Sequence, residues 1–158
     1  MMELNRLIYK NALLKIKRGN KCGVFSNAKP FMVLTIIEAI GNGIILGNKI
    51  KFDNNAFQKL YQKISSSSYG IVGIVHAKVR VTPFQMPFFH LNAEEFYHLK
   101  WLIDVEPLRQ ASSPSAKYLR ENLDYAYLDP ELWDLLQNPQ VRSEFRELII
   151  NHYLKPNN

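Results

Sequence analysis

The chain has 158 residues, of which 47% are hydrophobic and 12% aromatic, and its formal net charge is +6. This length fits one domain with one core. Cys22 is the only cysteine, which excludes an internal disulfide framework and a cysteine-based zinc site, and no run of about 18 apolar residues predicts a membrane span. The N-terminus shows no signal-peptide pattern, so we expect a cytoplasmic protein without a membrane partner.

The charges are distributed unevenly along the chain. Residues 1–90 contain 13 Lys or Arg and 3 Asp or Glu, a formal charge of +10, whereas residues 91–158 contain 7 and 11, a formal charge of −4. A basic half of this kind attracts polyanions. Nucleic acid is therefore the first candidate partner, and the plain alternative is that the lysines only keep the chain soluble.

The first predicted element is an amphipathic helix that ends at Gly19. One of its sides is apolar and is expected to face the core, and a neighbouring side is basic and is a candidate for phosphate contacts. The apolar side consists of Leu4, Leu7, Ile8 and Leu14, and the basic side of Arg6, Lys10 and Lys17.

A second helix is predicted from Phe31 to Ile40, with Pro30 in its first turn and Asn27 or Lys29 as its N-cap. Its residues are almost all apolar, which indicates a buried central helix that ends at Gly41-Asn42-Gly43. Lys29 would project from the N-terminus of this helix, where unpaired backbone N–H groups also attract phosphate.

A short hairpin is predicted around Gly47-Asn48, between residues 44–46 and 49–52. Asp53 or Asn54 would then cap a helix whose core side consists of Phe57, Leu60, Tyr61 and Ile64. Lys78 and Arg80 follow a short apolar run at 71–75, and both are candidates for phosphate contacts.

A second hairpin is predicted between the β-prone segments 86–91 and 96–101. A loop at 105–116 follows, and Arg109 on this loop is a candidate for contact with a base edge. Asp129-Pro130 and Asn138-Pro139 each predict the start of a C-terminal helix. The predicted fold class is α+β: a mostly helical single domain with one or two short antiparallel hairpins, basic at 1–90 and acidic and helical at 117–154.

The sequence shows no pattern typical of an active site. The four histidines, at positions 76, 90, 98 and 152, are too far apart in sequence for a metal-binding motif, and no phosphate-binding or nucleophile motif is present. Acidic residues are scarce before His90, so the paired carboxylates of a nuclease have no obvious source there. We therefore expect no catalytic residues, no metal and no cofactor in this chain.

Three sets of residues together resemble a known family. They are Ala28-Lys29-Pro30 before an apolar helix, residues 87–91 with 96–99, and residues 128–136 followed by Asn138-Pro139. In this order they resemble the N-terminal recognition domain of bacterial HNH restriction endonucleases, the group that includes DNA sulfur-binding domains. The resemblance covers nearly the whole chain and implies binding to double-stranded, phosphorothioate-modified DNA in a restriction system used for bacterial defence.

The resemblance also implies site residues. Lys29 matches the basic residue before the helix-opening proline, whereas Ala28 stands where a histidine is usual. The apolar sulfur pocket of the family is built around a Tyr-Pro-Phe segment, and the corresponding residues here are Met86, Pro87 and Phe88, with His90 in place of a small residue. The HNH nuclease domain of the family has no counterpart in this sequence, so the nuclease would lie elsewhere in the same protein or in a separate chain.

Two other functions fit the sequence. A winged-helix-like transcriptional regulator would normally dimerise on a two-fold DNA site, which light scattering would reveal. A protein interaction module would use the acidic C-terminal helices to bind its partner and would bind nucleic acid weakly and without preference.

Overall fold

The computed structural model describes residues 2–66, 81–102 and 113–154. Within these ranges the chain is mostly helical with two small antiparallel sheets, which confirms the predicted α+β class. The helices are α1 (Met2–Leu13), α2 (Ala28–Gly41), α3 (Asn55–Ser66), α4 (Gln85–His90), α5 (Ala116–Asn122), α6 (Pro130–Leu135) and α7 (Pro139–Ile149). The strands are β1 (Asn20–Lys21), β2 (Val24–Phe25), β3 (Tyr97–Trp101) and β4 (Leu123–Leu128), and a 3₁₀ turn (Leu91–Ala93) and a π-helical turn (Ile150–Leu154) follow α4 and α7.

The central element is α2, as its composition predicts. Ten of its 14 residues are buried, and α3, α4 and α7 pack against it. Its two interior polar side chains have partners: Thr35 donates a hydrogen bond to the Phe31 carbonyl, and Glu38 pairs with Arg146 at 2.9 Å. Asn27 is the N-cap residue, so the alternative of Lys29 as N-cap is wrong.

The predicted orientation of α1 is wrong. Its expected core residues face solvent, with exposed fractions of 52% for Leu4, 56% for Leu7 and 50% for Ile8. Tyr9 and Leu13 are buried instead, and the helix ends at Leu13 rather than at Gly19.

The reason is that, beside Leu13, the inward side of α1 carries long side chains whose polar ends have partners elsewhere in the chain. The Tyr9 hydroxyl donates to Asp129 at 2.8 Å, and the Arg6 Nε atom lies 2.5 Å from Glu144. Such side chains bury their apolar stems while the polar ends find partners. Because both acids lie more than 100 residues away in sequence, the pattern of α1 alone does not reveal them.

The predicted hairpin between residues 86–91 and 96–101 does not form. The first segment is α4, because Phe84, Phe88 and Leu91 recur at the helical spacing and all three side chains are buried. Pro87 lies in the first turn of α4, where its missing N–H costs no helical hydrogen bond.

The second segment, β3, pairs instead with β4, which the sequence did not predict. The antiparallel register places Tyr97 opposite Leu128 and Leu99 opposite Ala126. The hydroxyl of fully buried Tyr97 donates to the Phe88 carbonyl at 2.5 Å, so this bond joins β3 to α4.

The hairpin predicted around Gly47-Asn48 is also absent. Ile50 forms an isolated antiparallel bridge with Ala126, with N–O distances of 2.7 and 2.8 Å. The Asn48 side chain both donates to the Leu128 carbonyl and accepts from the Leu128 N–H at 2.8 Å. The segment thus lies along the edge of β4, because the backbone groups of β4 need partners on that side.

The helix starts that depend on local capping are confirmed. Asn54 accepts from the Phe57 N–H at the start of α3, and Asn138 accepts from the N–H groups of Gln140 and Val141 at the start of α7. Pro130 and Pro139 occupy the first positions of α6 and α7. Asp129 is the N-cap residue of α6, but its carboxylate accepts from Tyr9 and contacts His98 rather than capping the helix.

The orientation of α1 can be tested with two identical substitutions. Leu13→Ala removes a side chain that is 2% exposed and should cost about 2–5 kcal/mol of unfolding free energy, whereas Leu7→Ala should change it by less than about 0.5 kcal/mol. Chemical denaturation of the two variants measures both values. A larger loss for Leu7→Ala than for Leu13→Ala would mean that the side carrying Leu4, Leu7 and Ile8 is buried.

Candidate functional site

A cavity of about 360 Å³ lies between α4 and the segment that leads into α2. It brings together four of the predicted site residues, which are Lys29, Met86, Pro87 and His90. The remaining lining residues are Arg18, Gly19, Ser26, Ala28, Thr82 and Ala93. The resemblance implied Lys29 as a contact to the DNA backbone and Met86, Pro87 and His90 as pocket residues, and these four side chains line one cavity.

The wall formed by α4 is largely apolar. Met86, Pro87 and His90 line the cavity, whereas Phe88 is fully buried on the other side of the helix. The prediction that Phe88 lines the pocket is therefore wrong. Its ring lies 5.2 Å from the rings of Phe52 and Phe84, so its role is to fix α4 to the core.

Lys29 lies in the first turn of α2 and is held by an acid. Its Nζ atom is 3.1 Å from the Oε2 atom of Glu94, which also accepts from the Lys17 backbone N–H at 3.3 Å. Glu94 is 9% exposed, so this ion pair is largely shielded from water. The pairing fixes the Lys29 ammonium group near the cavity and offsets part of its charge.

Arg18 is the cation that sequence reasoning missed. Its guanidinium group lies 4.6 Å from the ring centroid of Phe25 and 4.8 Å from that of Tyr153, and it donates to the Asn27 side chain at 3.0 Å. Among the described residues no carboxylate forms an ion pair with it. The two aromatic rings hold the group in place, and its charge stays available to an anion.

His90 contributes a ring that is uncharged at neutral pH. Burial and, secondarily, the positive charge of Lys29 lower the pKa of His90 below its usual value. Its Nε2 atom lies 2.5 Å from the Ser113 hydroxyl oxygen. A neutral imidazole adds a polar but uncharged surface to the apolar wall of the cavity.

Arg6, Lys10 and Lys17 do not form one exposed basic stripe. Arg6 and Lys10 both pair with Glu144, at 2.5 and 3.3 Å. The hydrogen bond from Arg6 holds the pKa of the Glu144 carboxyl below its usual value, so this acid is ionised at neutral pH. Lys17 lies beyond the end of α1.

The remaining predicted contacts, Lys78, Arg80 and Arg109, lie outside the described residues. Within the described ranges, no group of three His, Cys, Asp or Glu residues is placed to hold a metal ion. In the same part of the chain, no helix combines the length and apolar character that crossing a membrane requires. Comparison with known proteins gives no match to a protein-family model and none to a curated protein.

The link between Lys29 and His90 gives a pH-dependent prediction. Lys29→Met should raise the pKa of His90 toward its usual value, because a neighbouring positive charge is removed and Glu94 is left unpaired. NMR titration of the histidine ring protons measures this shift, and Lys49→Met is the matched control that should leave it unchanged.

The same lowered pKa predicts the pH dependence of stability. Since the unfolded chain binds a proton at about pH 6.5 and the folded His90 binds it only at lower pH, stability should fall as the pH drops below about 6.5.

For the titration experiment, a His90 pKa that stays the same in Lys29→Met would mean that the Lys29 ammonium group does not lie close enough to the His90 ring to affect it.

Proposed function

We propose that this chain is a DNA-recognition domain that binds a phosphorothioate in the backbone of double-stranded DNA through the cavity between α2 and α4. The observation that carries the proposal is the combination of an apolar wall, Met86 and Pro87, with two positioned cations, Arg18 and Lys29, around one cavity. The resemblance of the sequence to sulfur-binding recognition domains supports the same function.

The apolar wall supplies the preference for sulfur. A phosphate oxygen that is pressed against Pro87 and Met86 loses its water and gains no hydrogen-bond donor, which costs several kcal/mol. Sulfur is larger, more polarisable and less strongly hydrated, so it loses less on entering the cavity. The thioether of Met86 is itself polarisable and adaptable, and it suits contact with sulfur.

The cations supply affinity for the DNA backbone as such. Arg18 and Lys29 line the same cavity as the apolar wall, so phosphates next to the modified one can approach them while the sulfur contacts α4. In the first turn of α2 the Ala28 N–H already donates to the Ser26 hydroxyl at 3.3 Å and Pro30 has no N–H, so the backbone there adds at most the Lys29 N–H. These contacts act on modified and unmodified DNA alike.

In this proposal the chain recognises modified DNA and does not itself catalyse a reaction. In this proposal an HNH nuclease domain, in the same protein or in a separate chain, cleaves the DNA. The protein then acts in the cytoplasm, where the DNA is. We assign no catalytic residue, metal or cofactor to the cavity.

The proposal is tested with two duplexes that differ only by one Rp phosphorothioate. The protein without substitutions should bind the phosphorothioate duplex more tightly than the plain duplex. Pro87→Ala should reduce that preference by about five- to 30-fold, the factor expected for the loss of one buried apolar contact. Binding of plain DNA should stay the same. Fluorescence anisotropy measures both dissociation constants, and thermal melting shows whether α4 survives the substitution.

Pro139→Ala is the matched control, because Pro139 is exposed and lies in the first turn of α7, away from the cavity. It should leave both affinities unchanged.

In the same assay, Arg18→Gln should weaken the binding of both duplexes and reduce the salt dependence of binding by about one unit of slope. Equal affinity of the unmodified protein for the two duplexes would refute sulfur recognition, and an equal loss on both duplexes with Pro87→Ala would assign Pro87 a structural role only.

A further inference from the structure

The solvent side of the β3–β4 sheet carries a cluster of aromatic and basic side chains that the proposed cavity does not use. The register places His98 directly opposite Tyr127 and Lys100 directly opposite Tyr125. Their strand neighbours Tyr97, Ala126 and Leu128 are buried, so the alternation of the strands turns the four side chains outward. We call this group, together with Lys49, the aromatic platform.

The rings of the platform pack against one another at an angle, with 63° between the planes of Tyr125 and Tyr127 and 34° between those of His98 and Tyr127. The ring centroids of Tyr125 and Tyr127 are 5.8 Å apart, and those of His98 and Tyr127 are 5.1 Å apart. The Nζ atom of Lys49 lies 5.1 Å from the Tyr125 centroid. Both tyrosines are partly exposed, so part of their surface is open to a ligand.

The charge of the platform is positive. Two lysines stand against one nearby carboxylate, since Asp124 pairs with Lys51 at 3.0 Å and only Asp129, which hydrogen-bonds to the His98 ring at 2.6 Å and to the Tyr9 hydroxyl at 2.8 Å, borders the platform. Among the described residues, Lys100 has no carboxylate partner. Lys49 and Lys100 therefore offer positive charge beside the partly exposed rings.

We propose that the aromatic platform binds unpaired nucleotides, with bases stacked on Tyr125 and Tyr127 and phosphates close to Lys49 and Lys100. Flat rings flanked by cations are the combination that holds single strands, because every base has a face that can stack and every nucleotide has a phosphate. In a duplex the faces of the bases are already covered by their neighbours. The ligand is thus a single strand of DNA or RNA, and this inference stands independently of the sulfur cavity.

The test measures the binding of fluorescent single-stranded DNA and RNA of about ten nucleotides, a length within the range of such sites. Tyr125→Leu and Tyr127→Leu should each weaken binding by about tenfold, since one stacked base is lost. Tyr127→Phe should bind as the unmodified protein does, because stacking needs the ring and not the hydroxyl. Tyr118→Leu, on α5, is the matched control and should have no effect. The DNA and RNA arms show which strand the platform prefers.

Lys100→Gln keeps the proposal testable if the leucine variants do not fold. It should reduce the salt dependence of single-strand binding by about 0.7 units of slope. Tyr127→Leu should leave any preference for the phosphorothioate duplex intact, and Pro87→Ala should leave single-strand binding intact, which separates the platform from the cavity. The proposal is overturned if neither single strand binds, if Tyr118→Leu weakens binding as much as Tyr127→Leu, or if a polyglutamate peptide of equal charge competes equally well.

Discussion

A helix whose residues are almost all apolar needs protein on nearly every side, and α2 has that requirement from Phe31 to Ile40. Packing of α3, α4 and α7 meets it. Since α2 is held in this way, its first turn has a fixed place beside α4. The cavity with Lys29 on one side and Met86, Pro87 and His90 on the other is therefore a consequence of burying α2.

The second contribution to the cavity comes from the support behind α4. Phe88 and Leu91 are fully buried, and the buried hydroxyl of Tyr97 bonds to the Phe88 carbonyl. A six-residue helix has little stability of its own, so these contacts determine its position. Of the α4 residues that face the cavity, Pro87 is also buried, whereas Met86 and His90 are only partly buried.

Ion pairs within the chain explain why fewer basic side chains of residues 1–90 are available to bind an anion than the formal charge of that half indicates. Glu144 of α7 engages Arg6 and Lys10 of α1, so part of the opposite charge of the two halves holds the fold together. At the cavity, Glu94 offsets part of the charge of Lys29, whereas Arg18 has aromatic neighbours instead of an acid. Arg18 is consequently the stronger source of attraction for an anion there.

Local signals in the sequence were sufficient to predict α2, α3, α6 and α7, because capping and helical spacing depend on neighbours within a few residues. Strand pairing and the orientation of α1 depend on distant partners: Tyr97 pairs with Leu128, and Arg6 finds Glu144. The helix α4 was hidden by the β propensity of its aromatic residues, although Phe84, Phe88 and Leu91 already had helical spacing. Of the residues around the cavity, Lys29 and Pro87 were candidates from the resemblance, whereas nothing in the sequence distinguished Arg18 from the other basic residues.

The central claim is that the cavity between α2 and α4 is the surface that contacts DNA. Mapping of amide chemical shifts in the ¹⁵N-labelled chain during titration with a phosphorothioate duplex tests it most directly. The account predicts that the largest changes occur at Gly19, Lys29, Met86 and His90, while the exposed side of α1 around Leu7 does not respond. Changes centred on α1, with the cavity residues unaffected, would contradict it.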